Sequence, residues 1–244
     1  MAGSKAPPPE GFGEAVTFAQ LLEKVAQISP LLRVRFSTSH PKDITSDVLH
    51  TMMAYENICK CIHLPVQSGS TRVLQLMNRT YTREWYMHKV DEIRKIIPDC
   101  SITTDIIAGF CTETEEDHQE TISIMDHSQY DFGYMFFYSE RPGTLAQRRY
   151  KDDIPLDVKK RRLQEVIEKQ NELSLNNYTK DIGKTFKVLI DGDSKRSNDD
   201  WVGRTSQNKV VIFPKNEILY KKGDYVNVEI KKCTQATLFG EIVN

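Results

Sequence analysis

Ser101-Ile102-Thr103-Thr104-Asp105-Ile106-Ile107-Ala108-Gly109 is the stretch that decides the fold. Its apolar residues suit a strand over 101–107 that is buried on both faces. The following Thr114-Glu115-Glu116-Asp117 predicts the start of a helix, because acidic side chains are favoured at the positive amino end of a helix. A strand that leads into a helix is the unit from which parallel sheets are built.

Strand and helix alternate four times along the chain. We predict strands over 32–37, 59–64, 101–107 and 132–138, and helices that begin near Thr17, Thr45, Ser70, Thr114 and Asp157. The helix from Ser70 is expected to run to Ile97 with a break around 78–82. This order predicts an α/β fold with a parallel sheet. Four parallel strands are too few to close a barrel, so we expect the C-terminal portion of a larger (β/α) structure.

Short β segments replace this alternation beyond Gly183. They cover 187–191, 201–205, 210–213, 225–230 and 237–242. Five short strands in about sixty residues are typical of a small, all-β barrel of the OB type. We therefore expect a linker over 1–16, half of an α/β barrel over 17–183 and a small β-barrel over 184–244.

Composition and charge limit the classes of function. The 244 residues are 39% hydrophobic and 27% charged, as in an ordinary folded domain. Basic and acidic residues nearly balance, 33 against 34, but from Lys184 onward 11 basic residues face 8 acidic ones. No apolar run approaches the ~20 residues of a membrane span, and no signal peptide is evident. We expect a cytoplasmic protein in which the second barrel touches nucleic acid.

The cysteines predict no metal site within this chain. They are Cys59, Cys61, Cys100, Cys111 and Cys233, and they form neither a CxxC pair nor a CxxxCxxC triplet. An odd number of scattered cysteines in a cytosolic chain favours reduced thiols.

Every predicted strand of the α/β part ends in a polar cluster. These clusters cover 37–41, 63–70, 105–113 and 138–144. Active sites of βα folds lie at the carboxyl ends of the strands, so the four clusters are expected to meet on one rim. Taken singly, His40 and His63 remain open to a structural role, and Ser39 and Ser70 to a role as helix caps.

Asp105 and Gln67 are the strongest functional candidates among these residues. Asp105 lies within a strand beside apolar neighbours, where a solvated surface role is not expected. Gln67 follows a proline and precedes Ser68-Gly69-Ser70, where its amide can reach a bound polar ligand.

Several of these stretches resemble one enzyme family. They are RFSTSHP at 35–41, HLPVQSGS at 63–70, MNRTYT at 77–82, TTDIIAGFCTETEED at 103–117 and FYSERPGTLA at 137–146. They resemble the methylthiotransferases of the radical S-adenosylmethionine (SAM) superfamily, and most of all the MiaB type, which adds a methylthio group to isopentenylated adenosine beside the tRNA anticodon. GRT at 203–205 and VVIF at 210–213 resemble the TRAM domain, a small RNA-binding barrel.

The resemblance implies a fold and a set of cofactors. The fold is the second half of a radical-SAM partial TIM barrel followed by a TRAM domain, and the cofactors are S-adenosylmethionine and two 4Fe–4S clusters. In the family, the cluster ligands are three cysteines of an N-terminal domain and a CxxxCxxC loop after the first barrel strand, and neither is present here. We therefore expect the N-terminal half as a partner, and no radical chemistry from these residues alone.

The resemblance also places residues around the cosubstrate. It implies contacts to S-adenosylmethionine from Ser37, Thr38, Gln67 and Asp105, with Ile107 and Gly109 in the segment that flanks the adenine. Ser139, Arg141 and His63 are candidates for the methionine carboxylate or the substrate, since a planar guanidinium suits a carboxylate or a phosphate.

tRNA is the expected partner of the second barrel. Lys195, Arg196, Arg204 and Lys209 are expected to contact phosphates, and Trp201 to stack on a base. A solvated surface remains an alternative for the lysines, and a place in the barrel core remains one for Trp201.

Two other functions remain open. The chain could be a stand-alone RNA-binding module in which the α/β part is a scaffold. It could also derive from a related methylthiotransferase that acts on threonylcarbamoyl-adenosine or on a ribosomal protein. The string STSHP at 37–41 favours the tRNA-modifying branch.

Overall fold

A computed structural model describes residues 16–37, 40–195, 197–216 and 220–243. Its first part alternates helices with three strands. The helices are α1 (Phe18–Ile28), α2 (Ser46–Ala54), α3 (Thr71–Leu76), α4 (Arg83–Ile96), α5 (Glu115–Ser128), α6 (Leu145–Arg149) and α7 (Leu156–Thr179), and the strands are β1 (Cys61–His63), β2 (Ser101–Ala108) and β3 (Phe132–Phe137). None of the helices within the described ranges is long and apolar enough to cross a membrane.

The described helices begin where the sequence predicts, except for α6, which was not predicted. The Thr17 hydroxyl accepts from the backbone N–H of Gln20, and the Gln20 side chain accepts from the backbone N–H of Thr17, as in a capping box. Thr114 and Asp117 form the same reciprocal pair at the start of α5. These contacts satisfy backbone donors that lack a partner within the helix.

The three strands form one parallel sheet in the order β1-β2-β3. The predicted first strand over 32–37 is absent from it: Val34 forms only an isolated parallel bridge with Ile58. Its neighbours Arg33 and Arg35 instead donate to backbone carbonyls of the second barrel. The prediction of a continuous strand is therefore wrong, because this segment connects the two barrels rather than extending the sheet.

The two faces of the sheet have different environments. Side chains alternate along a strand, and Ile62, Ile102 and Ile106 lie fully buried against the helices. Burying an isoleucine stabilises the fold by roughly 1.5–3 kcal/mol, so this face holds the main core. The alternate residues Asp105 and Ile107 are half-buried on the opposite, inner face.

The second part is a closed barrel of five strands, as the sequence predicts. They are β4 (Thr185–Ser194), β5 (Ser197–Arg204), β6 (Val210–Pro214), β7 (Tyr225–Cys233) and β8 (Leu238–Ile242), in the order β4-β5-β6-β8-β7. A Cβ atom on Gly240 would lie 2.3 Å from the Glu229 carbonyl oxygen, so only glycine permits this close approach. The predicted boundary between residues 183 and 184 stays a prediction; α7 ends at Thr179 before it.

The β5–β6 turn, residues 205–209, joins the two barrels. The Ser206 hydroxyl accepts from the Lys60 backbone N–H at 3.0 Å, and the Gln207 amide donates to Asp99 at 2.8 Å. Lys60 and Asp99 precede β1 and β2. The second barrel therefore packs against the amino ends of the parallel strands, and their carboxyl ends remain open.

Lys209, the last residue of this turn, forms a buried ion-pair cluster at the same junction. Its Nζ lies 2.6 Å from a carboxylate oxygen of Asp181 and 3.1 Å from one of Asp131, which precedes β3. The ammonium also lies 4.8 Å from the centre of the Tyr178 ring. Two carboxylates and an aromatic face thus compensate the burial of one cation.

Candidate active site

A cavity of about 540 Å³ opens at the carboxyl ends of the parallel strands. Its lining residues are Gln67, Asp105, Ile107, Phe136, Phe137, Tyr138, Ser139, Arg141, Thr144 and Ala146. Three of the four predicted polar clusters contribute to it. Their convergence matches the usual position of a ligand site in a βα fold.

Gln67 is held in this cavity by an unusual backbone. Its φ of 68° lies in the left-handed region, and its backbone bonds to Asp105 and Ile107 on the neighbouring strand at 2.8 and 2.9 Å. A Cβ on Gly69 would lie 2.3 Å from the Glu120 carbonyl oxygen, so this glycine lets the loop approach α5. Gln67 is only 7% exposed, yet its side-chain amide has no hydrogen-bond partner among the described residues. A side-chain amide that lines a cavity and has no partner within the protein is available to a polar ligand.

Asp105 and His63 lie side by side on the inner face. An Asp105 carboxylate oxygen is 3.4 Å from His63 Nε2, and His63 Nδ1 is 3.0 Å from the Thr103 hydroxyl. The Tyr134 ring packs edge-on against the imidazole. A carboxylate beside His63 repels a second carboxylate, so the structure does not support His63 as a ligand of the methionine carboxylate.

Ser37 lies in a second cavity of about 280 Å³, which we call the deeper cavity because it lies nearer the amino ends of the strands. Its lining residues are Arg35, Phe36, Ser37, Cys61, His63, Thr103, Tyr134 and Asn208. This cavity extends toward the amino ends of the strands, where Arg35 donates a hydrogen bond to the side chain of Asn208 in the β5–β6 turn. Ser37 therefore shares a cavity with His63 but not with Gln67. Thr38 lies outside the described residues.

Ile107 and Gly109 have different roles. Ile107 lines the larger cavity, as predicted for a contact to the cosubstrate. Gly109 does not line it: its N–H donates to Glu113 at 2.8 Å, and a Cβ there would lie 2.5 Å from Cγ of Lys159. Since its amide is used and its open side is filled, we assign Gly109 to the turn after β2 rather than to a ligand contact.

Ser139 and Arg141 face the same cavity as Gln67 and Asp105. Both are exposed, and within the described part of the chain the Arg141 guanidinium forms no ion pair. A free guanidinium at the mouth of a cavity suits a carboxylate or a phosphate.

The residues predicted to bind RNA are not all available. Lys195 is exposed in the turn after β4, and Arg196 lies outside the described residues. Trp201 is half-buried against the barrel core, with Lys215 4.4 Å from its ring centre. Part of the Trp201 side chain thus packs on the barrel core, as in the alternative considered for this residue.

Two of the predicted phosphate ligands are engaged within the protein. Arg204 pairs with Asp191 at 3.3 Å and bonds Asn208. Lys209 is 7% exposed and neutralised by Asp131 and Asp181. The prediction that Lys209 contacts a phosphate is wrong, because its ammonium is buried in the junction between the barrels.

Three inner-face residues, Thr103, Tyr134 and Phe136, are not among the site residues predicted from the sequence. Thr103 bonds His63, and Phe136 lines the larger cavity. Counting in steps of two from Asp105 identifies Thr103 on the same strand. The parallel register, which pairs Asp105 with Tyr134, would have been needed to find the other two.

A group of potential metal ligands also lies on the outer helices. One ligand atom from each of Glu115, His118 and Glu165 lies within 4.8 Å of the others. Arg161 lies 2.7 Å from a Glu115 oxygen and 2.6 Å from a Glu165 oxygen. A guanidinium already supplies the positive charge, so we assign this group to ion pairing between α5 and α7.

Arg161→Gln is expected to raise the pKa of Glu115, which hydrogen bonding to Arg161 holds at about 2. A carboxyl group whose pKa is lower in the folded protein stabilises the fold at pH values above its ordinary pKa of 4.5. This stabilisation is lost as the pH falls through the pKa of the folded protein. On acidification from pH 4.5 to 2, the variant should therefore lose less stability than the wild type does. At neutral pH the variant should be less stable than the wild type by at most about 1 kcal/mol. A ¹³C NMR titration of Glu115 measures this. An unchanged midpoint would contradict the assignment, and Lys160→Gln on the same helix serves as the control.

Two family models and one solved structure define the class of protein to which this chain is similar. The radical SAM superfamily model matches residues 11–125, and the TRAM domain model matches residues 180–243. A solved radical SAM enzyme, coproporphyrinogen III oxidase from Escherichia coli, has a similar fold with a TM-score of 0.52 and 18% identity, over 77% of this chain and 51% of that one. The chain therefore combines part of a radical SAM barrel with a TRAM domain, and this superfamily implies S-adenosylmethionine and iron–sulfur chemistry.

The relatives narrow this class further. A tRNA-2-methylthio-N(6)-dimethylallyladenosine synthase from Amoebophilus asiaticus is 63% identical over 96% of this chain and 48% of its own length. The protein of the same name from Phocaeicola vulgatus is 54% identical over 95% of this chain and 50% of its own length. The resemblance predicted from the sequence motifs is confirmed. The chain spans about half the length of the curated relatives that it matches.

Proposed function

We propose that this chain is the part of a tRNA methylthiotransferase that holds S-adenosylmethionine and positions the target adenosine. The substrate would be dimethylallyladenosine, that is isopentenylated adenosine, of a tRNA, as the names of the relatives indicate. Its position beside the anticodon follows from the family that the sequence motifs resemble. The observation that carries the proposal is the side-chain amide of Gln67, which has no hydrogen-bond partner among the described residues and lies with Asp105 in a cavity at the carboxyl ends of the strands. We propose the cytoplasm as the location of this activity, because a tRNA is the proposed substrate.

The lining of the cavity fits S-adenosylmethionine. The Asp105 carboxylate can accept from ribose hydroxyls, and the Gln67 amide can both donate to and accept from a polar edge. Arg141 can pair with the methionine carboxylate. When bound, S-adenosylmethionine supplies the methyl group and the 5′-deoxyadenosyl radical that such enzymes use.

Apolar side chains complete the site. Ile107, Phe136 and Phe137 line the cavity beside these polar groups. Apolar walls exclude water and hold the cosubstrate in a fixed position, so that a reactive species forms beside its target. The chain's own residues therefore bind, orient and shield the cosubstrate.

The cysteines of this chain do not fit an iron–sulfur cluster. Such clusters are held by several thiolates close together, whereas Cys59, Cys100 and Cys111 are buried and Cys233 lies in the second barrel. Cys61 lines the deeper cavity, but burial raises its pKa to about 11 and keeps it a thiol. We place the ligands of the two expected 4Fe–4S clusters in the N-terminal half, and we derive no step through a cluster.

A chimera tests the proposed function. Residues 17–243 would replace the matching part of the Amoebophilus asiaticus relative, and the chimera would be produced in bacteria that lack the methylthio modification. Mass spectrometry of nucleosides from their tRNA should then show 2-methylthio-isopentenyladenosine. Unmodified isopentenyladenosine beside a folded, cluster-loaded chimera would contradict the proposal. Methylthiolation of threonylcarbamoyl-adenosine instead would identify the related enzyme.

A further inference from the structure

The loop after β3 carries a concentration of positive charge at the mouth of the cavity. We call residues 141–151 the basic rim segment; it contains α6 and the cations Arg141, Arg148, Arg149 and Lys151. All four cations are exposed, and no residue of α6 is buried. The segment itself contains no acidic residue.

The cations of this segment lack internal partners. Within the described residues none of the four forms an ion pair, and only Arg148 donates a hydrogen bond, to the Gly143 carbonyl at 2.9 Å. The two acids that follow are engaged elsewhere. Asp152 accepts from the Lys159 ammonium through both oxygens at 2.5 and 2.7 Å, and Asp153 accepts from the Thr112 backbone N–H at 2.8 Å. Glu140, which precedes the segment, and Asp153 both keep their negative charge, but within the described residues neither forms an ion pair with any of the four cations.

The segment is well anchored. The Thr144 hydroxyl caps α6 and donates to the Arg141 carbonyl at 2.8 Å. The Tyr150 ring packs against Phe110, with ring centres 6.3 Å apart. Because Arg141, Thr144 and Ala146 line the larger cavity, the segment holds its cations next to the place where the target would enter.

The second barrel contrasts with this arrangement. There, Arg204 pairs with Asp191, Lys215 with Asp193, and Lys209 is buried. Contacts to phosphates gain more from a cation without an internal partner, because no existing ion pair has to be broken. Four exposed lysines of the second barrel, Lys195, Lys221, Lys222 and Lys232, also form no ion pair within the described residues. The cations of the rim differ from them in position, because the rim segment lines the mouth of the cavity.

We propose that the basic rim segment is a second RNA-contact surface, which binds the phosphates that flank the target nucleotide. It would act together with the TRAM domain: the TRAM domain holds the RNA at a distance from the site, and the rim holds the backbone at the cavity. This inference rests on the proposed function for the identity of the RNA. A polyanion fits the observations better than an apolar partner, since the exposed side chains at the rim are guanidinium and ammonium groups.

The test compares two double variants of the 244-residue chain. R149Q/K151Q removes two rim cations that make no internal hydrogen bond, and K24Q/K95Q removes two exposed cations from α1 and α4 as a matched control. Binding of a fluorescently labelled tRNA anticodon stem-loop is followed by anisotropy over a range of salt concentrations. R149Q/K151Q should bind about tenfold more weakly at moderate salt, and its slope of log K against log salt should be shallower by about 1.4. The control should match the wild type, and thermal unfolding should be the same for all three.

Other results would overturn the inference. RNA binding by R149Q/K151Q with wild-type affinity and slope would remove the rim from the interface, while the modification assay on the chimera would still stand for the proposed function. Loss of binding to a polyglutamate peptide with unchanged RNA binding would assign the segment to an acidic protein partner. An equal loss in both double variants would show a general charge effect rather than a defined surface.

Discussion

Lys209→Met is expected to lower the free energy of unfolding by about 3–5 kcal/mol. Methionine replaces the unbranched stem of the lysine with an unbranched apolar side chain. It leaves the carboxylates of Asp131 and Asp181 without their cation in a buried site. A buried charge without a partner is far more costly than an exposed one. Urea denaturation at neutral pH measures the loss, which should be accompanied by loosening of the second barrel from the half barrel.

Lys184→Met provides the matched control. Lys184 pairs with the same Asp181 at 3.3 Å, but its side chain is 58% exposed, so its loss should cost less than about 1 kcal/mol. Equal effects of the two substitutions would contradict the assignment of Lys209 to the junction.

The same cluster predicts a dependence on pH. Burial acts to lower the pKa of Lys209, but Asp131 and Asp181 outweigh it and raise the pKa above the ordinary value of 10.5. A raised lysine pKa gives a contribution that is complete below pH 10.5 and is lost as pH rises through the folded value. The stability difference between wild type and Lys209→Met should therefore be constant near neutrality and shrink in strong alkali.

Asp105→Leu in the chimera is expected to lower kcat/KM for S-adenosylmethionine by roughly 10- to 150-fold. A hydrogen bond to a charged group contributes about 1.5–3 kcal/mol, which corresponds to this range. Leucine has the branched outline of aspartate without its hydrogen-bonding oxygens, and its apolar side chain suits the neighbouring cavity residues Ile107 and Phe136. The rate of methylthiolation, measured by nucleoside mass spectrometry at varied cosubstrate concentration, reports the loss.

Thr103→Val is the control for this substitution. Thr103 faces the same side of the same strand but lies in the deeper cavity with His63. Its replacement should change kcat/KM for the cosubstrate by less than about threefold, since its hydroxyl already has a partner within the protein. A larger loss from Thr103→Val than from Asp105→Leu would move the cosubstrate to the deeper cavity.

Local patterns in the sequence predicted most of the fold. Capping residues such as Thr17 and Thr114 and the five short segments of the second barrel carry their signals within a few residues. The segment around Val34 was mispredicted because its apolar composition suits a strand, whereas Arg33 and Arg35 find partners in a barrel far along the chain. Local composition does not contain such long-range partners.

The same reason separates the predicted site residues that the fold brings together from those that it does not. Gln67, Asp105, Ile107, Ser139 and Arg141 meet in one cavity because the carboxyl ends of parallel strands share an edge. Lys209 looked like a surface cation in a basic tail, and only the fold brings Asp131 and Asp181 to it. The sequence around Gly109 is typical of a ligand-binding turn. In the structure, however, its N–H donates to Glu113, and the Lys159 side chain fills the space where a Cβ atom would lie.

Titration of S-adenosylmethionine into the isotopically labelled chain tests most directly whether the inner face of the half barrel holds this cosubstrate. NMR shift changes detect even weak binding, and the side-chain amide of Gln67 provides a reporter inside the cavity. We expect saturable changes in the chemical shifts of the Gln67 side-chain amide and of the Asp105 and Ile107 backbone. The chemical shifts of the β5–β6 turn should not change. An unshifted Gln67 amide at high cosubstrate concentration, or shifts confined to the second barrel, would contradict this assignment.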